Sequence, residues 1–204
     1  MSRKNGRSFW DIARADARAK QPRFFVALIA DAKLQAVARG ERDEFRGRAD
    51  ALCQAVRLMW VSDAFLAQAF YRAQARLDAL GVPVLPRLAH RLAMSTAQVC
   101  IGKNVVIHPG VHLGHGQVVI DGFVEIHRGT VILPFVTIGL RQGKARGPTI
   151  GRDVLIGTGA RILGPVTVHR DARIGANSVV IDDVPARATV VGVPARIVGK
   201  ADSG

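Results

Sequence analysis

The sequence predicts an α+β chain, with an α-helical N-terminal part followed by a left-handed parallel β-helix of hexapeptide repeats. Three observations carry this expectation. Apolar residues in the first half recur at steps of three and four. Past Ala97, aliphatic residues recur at steps of six. Small residues and glycines keep fixed places within each six.

The helical part comes first. Phe24, Ala27, Leu28, Ala32, Leu34 and Val37 follow helical spacing, as do Leu52, Val56, Met59 and Trp60, then Phe65, Phe70, Leu77 and Leu80. Breaks are expected at Pro22, at Gly40 and at Gly81-Val82-Pro83, where Gly and Pro end helices. A last segment from Leu85 to Met94 brings the expectation to four or five helices.

The second half changes period. Ile101, Ile107 and Leu113 lie six apart, and one residue is then inserted. Ile120, Ile126, Ile132 and Ile138 resume at six, and after a gap of twelve so do Ile150, Ile156, Ile162, Val168, Ile174 and Val180. Neither a helix nor a flat strand produces a repeat of six. A chain that turns a corner after every short strand does, and three sides make one triangular coil with a large aliphatic residue per side pointing inward. The residue two before each aliphatic is small or β-branched, as at Val105, Val111, Thr130, Ala160 and Ser178. The residue after it is often Gly, as at Gly102, Gly114, Gly139, Gly157 and Gly175. The segment 140–148 lacks the column and is charged and Gly-rich, so it reads as a loop thrown out from the prism. The expected organisation is 1–98 helical, 99–182 β-helix with the loop at 140–148, and 183–204 a C-terminal tail.

Bulk properties narrow the function classes. No apolar run reaches the ~18 residues a spanning helix needs. Phe9-Trp10-Asp11-Ile12 and the charges after it do not form a signal-peptide core. Cys53 and Cys100 lie in unlike sequence, so a reduced, cytoplasmic protein is expected. The net charge is +13, with 17 Lys and Arg against 9 Asp and Glu in residues 1–98 and 12 against 7 in the rest. No Lys/Arg run with interleaved aromatics occurs, and no nucleic-acid partner is expected. The charge suits a phosphorylated cofactor or an anionic substrate; recruitment to a membrane surface is a rival reading.

Histidines cluster in the first coils. His115 lies two after the inward Leu113, so its side chain should face out. His108 and His127 fall one above the other once the inserted residue is allowed for. They are read as solvated corner residues, like His169, and no metal is expected.

These motifs resemble a known family. The repeats, Ile156-Gly157-Thr158-Gly159-Ala160, Ile174-Gly175-Ala176-Asn177-Ser178-Val179-Val180 and the closing Val191-Gly192-Val193-Pro194-Ala195-Arg196 are similar to those of hexapeptide-repeat acyltransferases. Within that superfamily the chain resembles serine O-acetyltransferase. Phe9-Trp10-Asp11-Ile12, Tyr71-Arg72-Ala73 and Arg87-Leu88-Ala89-His90-Arg91-Leu92 extend the likeness over nearly the whole chain.

The resemblance implies acetyl transfer from acetyl-CoA to a small hydroxyl acceptor, as in cysteine biosynthesis, by a homotrimer or a dimer of trimers. A histidine general base suits such chemistry near neutral pH. His115, in Gly114-His115-Gly116-Gln117-Val118-Val119-Ile120-Asp121, stands where the family has its base. Three positions depart from the family. Gly114 replaces the Asp before the base, Cys100 replaces the orienting carboxylate, and Gly147 stands where a second histidine is expected. Asp121 and Glu125 are candidates to orient His115 instead, with Asp121 preferred. L-serine is the default acceptor, with a sugar or exopolysaccharide precursor as rival. A non-catalytic CoA-binding or scaffolding protein is the alternative from another class.

Donor-binding residues implied by the resemblance are Gly139, Gly157, Thr158, Gly159, Ala160, Ala176, Asn177, Val193, Pro194, Arg196 and Lys200. Small side chains there bare backbone groups for the pantetheine arm, and Arg196 and Lys200 would pair with CoA phosphates.

Overall fold

A computed structural model describes residues 8–42 and 44–200, except the side chain of Lys200. Five helices come first: α1 (Phe9–Ala19), α2 (Phe24–Ala38), α3 (Arg48–Val61), α4 (Asp63–Ala79) and α5 (Leu85–Ala97). The expected breaks are present, and one more falls at Ser62. Its hydroxyl accepts from the Phe65 amide at 3.3 Å and caps α4, with Asp63 in the first turn. A side-chain cap and an early acidic residue both favour starting a new helix there. Among the described residues, no helix is long and apolar enough to cross a membrane.

Fifteen short strands follow in chain order. The first seven are β1 (Val99–Ile101), β2 (Val106–Ile107), β3 (His112–Leu113), β4 (Val118–Ile120), β5 (Glu125–Ile126), β6 (Val131–Ile132) and β7 (Thr137–Gly139). Next come β8 (Thr149–Ile150), β9 (Leu155–Ile156), β10 (Arg161–Leu163), β11 (Thr167–Val168), β12 (Arg173–Ile174) and β13 (Val179–Val180). The last two are β14 (Ala188–Val191) and β15 (Arg196–Lys200). They stack into three sheets, ordered β1-β4-β7-β10-β13, β2-β5-β8-β11 and β3-β6-β9-β12-β14-β15. These are the three faces of a left-handed β-helix, and every pairing among β1 to β14 is parallel.

Register accounts for the period. Arg173 lies over Leu155, eighteen residues back, and Ile174 over Ile156. The inserted residue makes the first coil nineteen, so Val99 pairs with Val118 and His112 with Val131. Ile107, Leu113, Ile120, Ile126, Ile132, Ile138, Ile150, Ile156 and Ile162 form the buried column. Each such side chain contributes roughly 1.5–3 kcal/mol by leaving water.

The prism does not stop at 182. β14 pairs in parallel with β12, and β15 returns antiparallel on β14. Val184 and Val190 continue the inward column, but at a step of four and then one of six after Val180, and the broken step hides them in the sequence.

The helices cover the first coil. Ala64, Ala67 and Tyr71 of α4 and Ala93 and Ala97 of α5 share one core with the prism. The joint is polar as well. Asp31 of α2 and Arg72 of α4 form a fully buried ion pair at 2.9 Å. Asp31 also accepts from the Gly110 and Val111 amides, at 2.8 and 3.3 Å. Arg72 donates to the carbonyls of Ile107 and His108. Burial pushes the Asp31 carboxyl up, while Arg72 and the two amides oppose it. Tyr71 closes the joint, donating to the Val105 carbonyl and accepting from the Ile107 amide.

Candidate active site

His115 stands exposed on the turn between β3 and β4, where the extra residue is inserted. The packing around it explains the glycine before it. A Cβ on Gly114 would lie 2.9 Å from Pro134 Cδ and 3.1 Å from the Ile132 carbonyl oxygen. No carboxylate side chain fits at Gly114 without displacing Pro134.

The corner that carries His115 recurs in every coil above it. The backbone bonds Gly114 N to Ile132 O, Gly157 N to Ile174 O and Gly175 N to Val190 O fix the stacking. His115 therefore shares its position with Pro134, Thr158, Ala176 and Gly192, and Gly116 shares its own with Phe135, Gly159, Asn177 and Val193. The structure thus brings Gly157, Thr158, Gly159, Ala176, Asn177, Val193 and Pro194 onto one edge with His115. Thr158, Ala176, Asn177, Val193 and Pro194 are exposed there. Gly157 has a packing reason of its own, because a Cβ would lie 2.7 Å from the Ala176 amide nitrogen. Ala160 points inward and is fully buried. The Val193-Pro194 peptide is cis.

Asp121 and Gly139 belong to the next corner. Asp121 follows β4 at the end opposite His115, close to Gly102, and its amide donates to the Ile138 carbonyl at 3.0 Å. Within one chain the structure does not bring Asp121 to His115. Burial, aided by the Asp121 charge, pushes the Cys100 thiol up. Arg196 is exposed and lies 3.3 Å from Asp182. Lys200 ends β15, and its side chain lies outside the described residues.

Gly147 is buried between the extended loop and the second face. A Cβ there would approach Val124 Cγ2 to 2.9 Å and the Phe123 carbonyl oxygen to 3.0 Å. A histidine at this position has no room on this backbone. Gly147 and Arg146 line a groove of about 620 Å³ between α1 and the prism, with Phe9, Lys20, Phe123 and Glu125 on its walls.

Two neighbours of His115 escape the motif pattern. His112 is held below the ordinary histidine range by burial and by the nearby His115. Phe135 is 58% exposed at φ +64°, on the corner where the other coils place Gly116, Gly159 and Asn177, also at positive φ. The signal that could find it is a Phe at a corner that its neighbouring coils give to Gly or Asn.

Comparison with known proteins bears on the family and the fold. Residues 147–182 match the family described as bacterial transferase hexapeptide (six repeats). A serine acetyltransferase of Bacillus licheniformis is 47% identical over 105 residues, covering 47% of this chain and 48% of that protein. The chain spans about half the length of the curated relatives it matches. A Brucella abortus serine acetyltransferase crystal structure superposes with TM-score 0.72 at 27% identity, covering 94% of this chain and 75% of that one. A serine acetyltransferase in complex with CoA superposes with TM-score 0.67 at 30% identity, covering 83% of this chain and 68% of that one. With its helices and its prism matched together over most of their length, the chain belongs to the serine O-acetyltransferase-like branch of the hexapeptide-repeat acyltransferases.

Proposed function

We propose that the chain transfers the acetyl group of acetyl-CoA to the hydroxyl of a small acceptor, by direct attack with His115 as general base. The observation that carries this reading is the shared edge. An exposed imidazole stands in line with a row of small, exposed corner residues, and a solved relative of this fold is a complex with CoA. The thioester would lie along Thr158, Ala176 and Asn177, with Val193, Pro194, Arg196 and Lys200 beyond.

His115 takes the proton of the acceptor hydroxyl as its oxygen attacks the thioester carbonyl carbon. The tetrahedral intermediate collapses, the C–S bond breaks, and the CoA sulfur leaves as thiolate. The imidazolium returns its proton to that sulfur. No covalent acyl-enzyme is needed.

Among the described residues of one chain, no carboxylate pairs with His115. Three prisms packed around a common axis would set the edge of one against a face of the next. Asp121 acts on His115 in this reading only if a neighbouring copy supplies it. A homotrimer, or two trimers joined through their helices, is thus part of the proposal, as is a cytoplasmic location.

L-serine is the default acceptor. The sugar reading is favoured by Gly114, Cys100 and Gly147, which change the acceptor side and leave the donor edge intact. A thiol-release assay with acetyl-CoA, L-serine and a panel of sugars separates the two. His115→Ala should lower kcat by roughly 10²–10⁴-fold. Full turnover in that variant would exclude His115 as base. No calorimetric binding of CoA to the wild type would exclude the enzyme reading and leave the scaffolding alternative.

A further inference from the structure

A second cluster of chemistry-bearing side chains stands away from His115, at the corner between the second and third faces. His108 follows β2, and Glu125 and His127 flank the inward Ile126 of β5. Residues two apart on a strand share a face, so Glu125 and His127 both point outward. The β2–β5 register sets Ile107 on Ile126, which puts His108 directly against His127. The two rings stack with centroids 4.5 Å apart and planes 9° apart.

Glu125 Oε1 lies 3.0 Å from His108 Nε2 and 3.7 Å from His127 Nε2. The ligand atoms of all three residues fall within 4.8 Å of one another. Lys20, the C-cap of α1, holds the other oxygen, Oε2, at 2.9 Å, which leaves Oε1 directed at the two imidazoles.

We propose that His108, Glu125 and His127 form a binding site for a divalent transition-metal ion of the zinc type. Two imidazole nitrogens and one carboxylate oxygen are a donor set that suits zinc, nickel or copper and does not suit magnesium or calcium, which demand oxygen. A tetrahedral ion bound at about 2.0–2.1 Å needs donors roughly 3.4 Å apart. The Glu125 separations bracket that value. Closure asks the ring planes to open from their parallel stack and the three donor atoms, now within 4.8 Å of one another, to converge on that spacing. Three protein donors leave a fourth position for water or a ligand. Lys20 now supplies the positive charge beside Glu125, so the ion would join the same contact between α1 and the prism.

This site does not rest on the transferase reading. The expectation of no metal weighs two corner histidines and leaves out Glu125 between them. The pattern that identifies the site is Glu-x-His on one strand with a His one coil earlier.

The test uses the full chain, freed of metal by chelation and titrated with Co(II), whose visible absorption reports tetrahedral nitrogen and oxygen ligation. One equivalent per chain is expected, displaced by Zn(II) and not by Mg(II). His108→Gln, His127→Ala and Glu125→Gln should each weaken binding at least tenfold, while His169→Ala leaves it unchanged. His108, Glu125 and His127 are half-buried and His169 is exposed, and circular dichroism confirms that each variant folds. No saturable Co(II) spectrum in the wild type, or equal affinity in any of the three ligand variants, overturns the proposal.

Discussion

From Ile107 to Ile162 every side of the prism buries an isoleucine or leucine completely, whereas Phe25, Val56 and Trp60 on the helices stay 63%, 55% and 90% exposed. The core private to α2, α3 and α4 is small: Leu28, Ala32, Ala55, Leu58, Phe65 and Ala69. Each coil of the prism rests on its neighbours through a column of like residues and a ladder of backbone bonds. The helices instead depend on the joint, where alanines let α4 and α5 approach the first coil and a buried ion pair ties α2 and α4 to its backbone. The prism is therefore a sum of repeats, and the helical part is a cap whose stability is borrowed from what it covers.

Breaking the joint should have the largest effect. Arg72→Met leaves the Asp31 carboxylate buried without its partner and strands the carbonyls of Ile107 and His108. A loss of about 3–5 kcal/mol is expected in urea unfolding at neutral pH, because an uncompensated buried charge costs that much. A loss below about 1 kcal/mol would mean that alanine packing, not the ion pair, holds the cap.

Cutting the column comes next. Ile138→Ala removes a completely buried side chain between coils that have little freedom to collapse, and should cost about 2–5 kcal/mol. Phe25→Ala, on the exposed helical surface, should stay within about 0.5 kcal/mol. A larger loss there would show that a second copy covers Phe25 in solution. The pair of measurements, taken at several protein concentrations, sharpens the contrast between a core closed within one chain and a face left open.

The same contrast decides what the sequence can reveal. A repeat of six over many coils is local information, and it suffices to place the sheets, the loop after Gly139 and the outward set of His115. The joint has no such periodicity. Asp31 and Arg72 sit forty-one residues apart and meet only because α2 and α4 cross the first coil, so nothing local pairs them. Ser62 is a readable cap that the continuing apolar spacing masks. Closeness in sequence suggests Asp121 as a partner for His115. A strand of three residues is enough to carry it to the next corner, so nearness along a β-helix does not mean nearness in space. Glu125 is legible as an outward residue, but only its register against His108 gives it a role.

The smallest expected effect tests an exception within the regular half. Phe135 holds a left-handed backbone conformation at the corner beside Gly116, a conformation that costs a side-chain-bearing residue about 1–2 kcal/mol. The next coils lower that strain, with Gly159, which has no Cβ, and Asn177, whose short polar side chain tolerates the conformation, at the same place. Phe135 is also largely exposed, so burial offsets little of the cost. Strain kept at an exposed site points to use of the side chain, here as an apolar wall beside the imidazole. Phe135→Asn should therefore gain roughly 0.5–1 kcal/mol in unfolding, part of that strain being relieved. The same variant should raise KM for the acceptor and leave CoA affinity unchanged. A gain in stability with unaltered kinetics would make Phe135 a tolerated defect of the corner and leave the wall of the acceptor site to another residue.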